Sequence, residues 1–330
     1  MLWVTWRQHR IRLIGLLVVA TVFAVAIAFV ASFAQRTRIE LGIDTCVPNP
    51  LFGFGDPNNC NRLFGEWSLR VGILRYLTYG LYLIPALVGS YLGGPLLARE
   101  IEGGTHRLAW TQGIGRVRWA ATILGVVLTT TLAAGVVLAL GGHQSWPLLG
   151  LNTFRPFDLF DLEGPALVSY MVFGLALGAF IGAWRRRILT GMFFGLLAFG
   201  LVRAVVVIDV RPYYEPPIAV PLIADFTLGP PAPIPADAWT FGADAVDSQG
   251  RTVPQQRVGQ LIDEYSRVGC SAGRNCSSVA YLNAHDVFQR QLYQPADRYW
   301  RFQLYEAGLF LLLTATLVAG TLLILRRRDA

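Results

Sequence analysis

Glu102 and His106 stand four residues apart, a spacing that puts two side chains on one face of a helix, where they could share a metal ion. Two ligands do not complete such a site, and His9, His143 and His285 are scattered elsewhere along the chain. Neither His-Glu-x-x-His nor Gly-x-Ser-x-Gly occurs, so the residues of zinc-assisted and of serine-based hydrolysis are missing. The 28 basic residues are all arginine. A P-loop needs a lysine on the β/γ-phosphates, which excludes a Walker-type ATP site within these residues. No catalytic residue, metal site or cofactor is expected. What remains is charge in unusual places. Arg203 falls inside an apolar run about two turns from its end, with Asp209 close behind it, while Arg75 and Glu306 border other runs. An ionisable group inside lipid points to function. Two readings stay open for Arg203: a place on a path through the bundle, or pairing with Asp209 or Glu306 and snorkelling to the interface.

These charges matter because of their surroundings. The 330 residues are 54% hydrophobic and only 15% charged, and the mean hydropathy is +0.46. Six runs of membrane length concentrate the apolar residues: Leu13–Ala34, Tyr76–Leu97, Trp119–Gly141, Ala166–Trp184, Ile188–Val210 and Leu304–Leu325. About twenty helical residues cross a hydrocarbon layer of roughly 30 Å. The runs lack period-two alternation, so they are helices rather than barrel strands. An all-α membrane protein of six transmembrane helices is expected. The first run follows Arg7, Arg10 and Arg12 and could pass for a secretory signal, but it exceeds a signal core in length and five more follow.

With the N-terminus inside, the inner pieces hold 13 arginines in 40 residues, against 6 in the 65 residues of the two short outer loops. That bias puts both termini in the cytoplasm and explains the net charge of +7 without nucleic acid. All four cysteines then lie outside, in the compartment where disulfides form. Pairing of Cys46 with Cys60 and of Cys270 with Cys276 is the simplest arrangement, and four free thiols the alternative. Three regions are expected. Residues 1–210 hold the first five spans, 211–303 a small extracytoplasmic domain, and 304–330 the last span with a cytoplasmic tail. The domain opens proline-rich, from Pro212 to Pro235, and reads as irregular chain. From Gln255 to Gln303 the apolar spacing predicts helix. The domain is expected to be mostly helical and irregular.

Two further features stand out. Gly174, Gly178 and Gly182 recur at four-residue spacing, as do Gly191 with Gly195 and Gly89 with Gly93. Small residues so placed let helices approach closely in lipid, within the bundle, at a subunit interface or along a moving lining. The second feature is the insert 98–118 between the second and third spans. Gly103 and Gly104 should stop the helix after Glu102, and Thr105 can cap a short helix over His106–Gln112. That helix would either rest on lipid headgroups or dock a soluble partner.

The insert resembles the cytoplasmic coupling segment of permease subunits of ATP-binding-cassette (ABC) transporters of the type-2 permease family, which carry an acidic residue, then Gly-Thr, then a short helix. Glu102, Gly104 and Thr105 match that pattern. An actinobacterial group is similar over Thr5–Arg10, over Ala98–Gln112 and over Tyr293–Trp300. The resemblance implies an elbow over Trp3–Arg12 before span one, a separate ATP-binding subunit, and pairing with a second permease, identical or not. It implies coupling through Arg99, Glu100, Glu102, Gly104, Thr105, His106, Arg107, Trp110, Thr111 and Gln112. An exporter worked by alternating access follows. A secondary, proton-coupled carrier is an alternative that needs buried carboxylates in the spans, which the sequence does not display. A membrane-anchored sensor or assembly factor, binding a ligand outside, is another.

Overall fold

A computed structural model describes residues 2–43, 60–104, 115–145, 156–222, 234–235, 237–268 and 278–327. Among them, six helices are long and apolar enough to cross a membrane: Trp3–Glu40, Gly80–Glu102, Arg116–Gln144, Pro156–Arg185, Ile188–Tyr213 and Ala296–Arg327, here spans one to six. All six expected runs are present, and most extend beyond the apolar stretch that announces them. Span one is one unbroken helix, Leu2–Glu40, so the implied elbow over Trp3–Arg12 is not a separate element. Nothing between Trp3 and Arg12 breaks a helix, and 38 residues make about 57 Å of it, well beyond one hydrocarbon layer.

The chain divides into two compact units. The first comprises Met1–Thr153, Leu159–Val206 and Gln303–Ala330, and contains most of the bundle. Span four is its centre: 83% of its apolar window is buried, against 22% in spans five and six. Bulky apolar residues on the outer spans stay exposed, Phe29, Leu189 and Leu312 among them, as helices facing lipid require. Span two is irregular. Pro85 lies inside its first helix, Ile73–Val88, and a π-helical turn over Gly89–Gly93 follows before helix resumes at Gly94–Glu102. Proline removes a backbone donor and a π turn widens the coil, so the helix is loosened where the glycines sit.

The second unit comprises Phe154–Asp158 and Val207–Phe302. It contains helices at Gln255–Val268 and Ser278–Ala284, as the apolar spacing predicts. It also contains an antiparallel sheet that the sequence reading did not include, built from β1 (Ile218–Leu222), β2 (Trp239–Val246) and β3 (Phe288–Gln294) in the order β1-β3-β2. Helix therefore does not extend from Gln255 to Gln303, because Phe288–Gln294 is the central strand. Its register sets Tyr293 between Ile218 and Thr240, and Leu292 between Ala219 and Phe241. Pro221 is tolerated because β1 is an edge strand. A bulge between Phe241 and Ala243 places Gly242 at φ +56°, a left-handed conformation that glycine adopts without strain. Trp239 stacks on Phe157 with ring centroids 5.1 Å apart. At the turn after β2, the Arg251 backbone N–H and guanidinium hold the Asp247 carboxyl below its ordinary range.

Candidate functional site

The glycines of three spans meet. A Cβ added at Gly89 would lie 2.5 Å from the Gly174 carbonyl oxygen, and one at Gly174 would lie 2.5 Å from that of Pro85. Gly93 faces the Leu175 carbonyl, Gly178 that of Gly89, and Gly182 that of Gly94, each too closely for a side chain. From span five, Gly191 approaches the Gly182 Cα and Gly195 the Gly178 Cα. Spans two, four and five thus touch backbone to backbone along one line, and the π turn of span two lies on it. Close backbone approach maximises dispersion contacts where lipid offers no hydrophobic drive.

At one end of span four the contacts become ionic. The Arg203 guanidinium bridges Asp161 and Glu306, each at 2.9 Å, and lies 3.7 Å above the Tyr170 ring. The Tyr170 hydroxyl donates to Glu306 at 2.6 Å and to Asp161 at 3.2 Å. Glu306 is completely buried, while Arg203 and Asp161 are partly buried. Pairing with Glu306 was one of the expected outcomes for Arg203. Asp161 was not foreseen, because the sequence puts it in a loop 42 residues before Arg203. Its one visible signal was the acidic, Pro-containing run Asp158–Pro165, which marks the start of a helix. Glu306 corrects the expectation that the spans display no buried carboxylate. It looked like a boundary residue because it lies near the start of the run at Leu304, just after Arg301 and Gln303.

Gln303 adds a second tie, one that sequence reasoning missed. Its amide donates to the Phe160 carbonyl at 2.7 Å and accepts from the Ala166 N–H at 3.0 Å, so span six caps the start of span four. Phe310 packs edge-on against Tyr170 and Phe173. In the second unit, the stretch Tyr293–Trp300 forms its own lock. The Gln294 amide donates to the Pro212 and Glu215 carbonyls, and Arg298 binds Gln294 Oε1 at 2.7 Å and the Glu215 carboxylate at 3.1 Å.

At the opposite end of span four lies the start of the insert. The helix ends at Glu102, and Gly104 takes φ +70°, donating its N–H to the Ile101 carbonyl, as the double glycine predicts. The Glu102 carboxylate accepts the backbone N–H of Ile188 at 3.0 Å. It therefore caps span five, whose own preceding residue, Arg187, offers no side-chain cap. His9 of span one is buried within electrostatic reach of Arg99, Glu100 and Arg12. Thr105, His106, Arg107, Trp110, Thr111 and Gln112 lie outside the described residues. So do Cys46, Cys270, Cys276 and the Cys60 side chain, and with them both expected disulfides. Among the described residues, no three His, Cys, Asp or Glu side chains group as metal ligands.

A family model described as ABC-2 membrane transporter related matches residues 13–211. The match takes in the glycine line, Arg203, Asp161 and the insert. No curated protein and no solved structure matches the chain.

Proposed function

The chain belongs to the ABC-2 membrane transporter related family, and from that premise we propose that it is the membrane-spanning subunit of an ABC exporter, moving substrate by alternating access driven by a separate ATP-binding subunit. As a member of that family it is a multi-pass membrane component of a transporter. The finer reading rests on one observation, the Glu102–Ile188 hydrogen bond. The insert continues from Gly104, and the residue just before the helix stop is bonded to the first helical residue of span five. A push on the insert reaches span two through the chain and span five through this bond. Both spans lie on the glycine line with span four, so small shifts at one end can re-set the packing of three helices. Packed interfaces of this kind switch between discrete arrangements rather than deform smoothly.

Division of labour supports the same reading. These residues hold no lysine for a P-loop, which fits an ATP site on a partner, and the insert between spans two and three is where such a partner would press. Residues Arg99 to Gln112 would form the contact, with Trp110 its aromatic anchor. A second permease subunit, identical or different, would complete the transporter. The second unit would lie outside the cell.

A secondary, proton-coupled carrier is the competing reading, and the buried Glu306 favours it. Its engagement by both Arg203 and Tyr170 weighs against it, since the carboxylate is already spent on a guanidinium and a hydroxyl within the cluster.

Two outcomes check this reading. Cysteine probes in a background without the native cysteines should be labelled from outside intact cells at Ser248→Cys and not at His106→Cys or Arg327→Cys. Labelling at position 106 would reverse the orientation. Glu102→Ala should remove the cap of span five, at a cost of about 1 kcal/mol, and leave the protein inserted in the membrane while uncoupling transport from ATP hydrolysis. Glu102→Gln, which keeps an acceptor oxygen, should retain most of the coupling. Equal, full coupling in both variants would count against the bond as the transmission point.

A further inference from the structure

Spans one and three run side by side in the same direction, and their separation changes along the way. Far from their N-terminal ends they touch: a Cβ added at Gly141 would lie 2.7 Å from the Ala24 Cβ. Toward those ends a groove of about 930 Å³ opens between them, lined by Trp3 and Trp6 from span one and by Arg118, Thr122, Gly125 and Thr129 from span three. Nothing lies within 4 Å of the place a Gly125 side chain would take.

The groove has a polar mouth and an apolar shaft. Arg118 is exposed at the mouth, and the Arg7 guanidinium lies 5.3 Å from the Trp3 ring centroid. Deeper in, the threonine hydroxyls are spent on their own helix. Thr122 donates to the Arg118 carbonyl, Thr129 to that of Gly125 and Thr130 to that of Val126, at 2.7 to 3.0 Å. The groove therefore shows methyl groups, with no polar demand left unmet. From Arg118 to Thr130 its floor covers about 18 Å of helix, slightly more than one leaflet of a hydrocarbon layer roughly 30 Å thick. Tryptophan rings sit at the level where headgroups meet acyl chains.

We infer that this groove is a binding site for an anionic phospholipid, with the phosphate at Arg118 and one acyl chain lying along Gly125. Basic pockets between transmembrane helices suit such headgroups, and the shaft has the depth of a single leaflet. The site rests on the orientation proposed above only for which leaflet supplies the lipid, and it is independent of ATP coupling.

The test uses the full-length protein, delipidated in detergent and offered phosphatidylglycerol and phosphatidylcholine with identical acyl chains. Retained lipid is read by native mass spectrometry, so failure of the coupling reading would not affect the result. The wild-type chain should retain phosphatidylglycerol in preference. Arg118→Gln should weaken that retention about fivefold and leave retention of phosphatidylcholine unchanged. Gly125→Leu should displace the acyl chain and abolish retention, with an unfolding temperature unchanged or raised, since open space receives the new side chain. Soluble glycerol phosphate should not compete, because it has no chain to fill the shaft. Equal retention of both lipids by the wild type would overturn the site, as would retention undiminished in both variants. Competition by glycerol phosphate would reduce it to a headgroup contact and overturn the groove. A dimer mass that Gly125→Leu splits into monomers would assign the groove to a second copy of the chain instead.

Discussion

Arg203→Met should lower the stability of the folded protein by about 3–5 kcal/mol, the usual cost of removing one partner from a buried ion pair. Two carboxylates would lose their common cation, and Glu306, which has no access to solvent, would be left without one. The guanidinium also lies on the Tyr170 ring at 3.7 Å, and a desolvated cation–π contact adds up to about 2 kcal/mol. Because the cluster joins spans four, five and six, its loss should loosen all three. Thermal unfolding in detergent micelles reads the effect. Arg203→Met combined with Glu306→Met should recover part of the loss, because the orphaned charge is removed with its partner. An Arg203→Met protein as stable as wild type would show that the cluster does not hold the spans together.

Gly178 should be the least replaceable glycine of the bundle. Any Cβ there would collide with the Gly89 carbonyl oxygen and lie 2.8 Å from the Gly94 nitrogen. Both are backbone atoms, which cannot rotate away as a side chain can. Gly178→Ala should cost at least the 1–3 kcal/mol typical of overpacking, and Gly178→Leu should separate spans two and four altogether. Gly200→Ala and Gly308→Ala make the contrast, since nothing lies within 4 Å of either position. They should be neutral or stabilising by up to about 1 kcal/mol, because alanine is the better helix former. Equal tolerance at Gly178 and Gly200 would mean that the three-span contact is not formed.

Much of this arrangement is legible in the amino-acid sequence. Twenty apolar residues have few alternatives to a span in lipid, so the six spans follow from composition along the chain. The double glycine after Glu102 similarly announced a helix stop. The glycine stripes were equally visible, but a stripe says only that a helix has a smooth face. It does not say that Gly178 should meet Gly89 while Gly182 meets Gly94, because that pairing depends on the relative height of two distant segments. The same limit applies to charge. Arg203 was conspicuous as a cation in an apolar run, yet its partner Asp161 sits on the short 3-10 helix that opens span four and is brought near only by packing. Glu102 was legible as part of an insert and invisible as the cap of span five, a hydrogen bond across 86 residues. Strand β3 was hidden for a related reason. Its alternation is weak, and it becomes a strand through pairing with Ile218–Leu222 and Trp239–Val246, so its conformation lies in non-local context.

The most direct measurement of the proposed function is purification of the full chain from its native membranes in mild detergent, with ATP hydrolysis assayed on the product. A retained subunit carrying a Walker motif is expected, with hydrolysis that depends on it. Trp110→Ala should lose both while the variant chain stays in the membrane at wild-type amount. An aromatic anchor of this kind is worth about 2 kcal/mol or more of binding, roughly a thirtyfold change in affinity. A wild-type chain that carries no nucleotide-binding subunit, or a Trp110→Ala chain with undiminished association and hydrolysis, would contradict the proposed function.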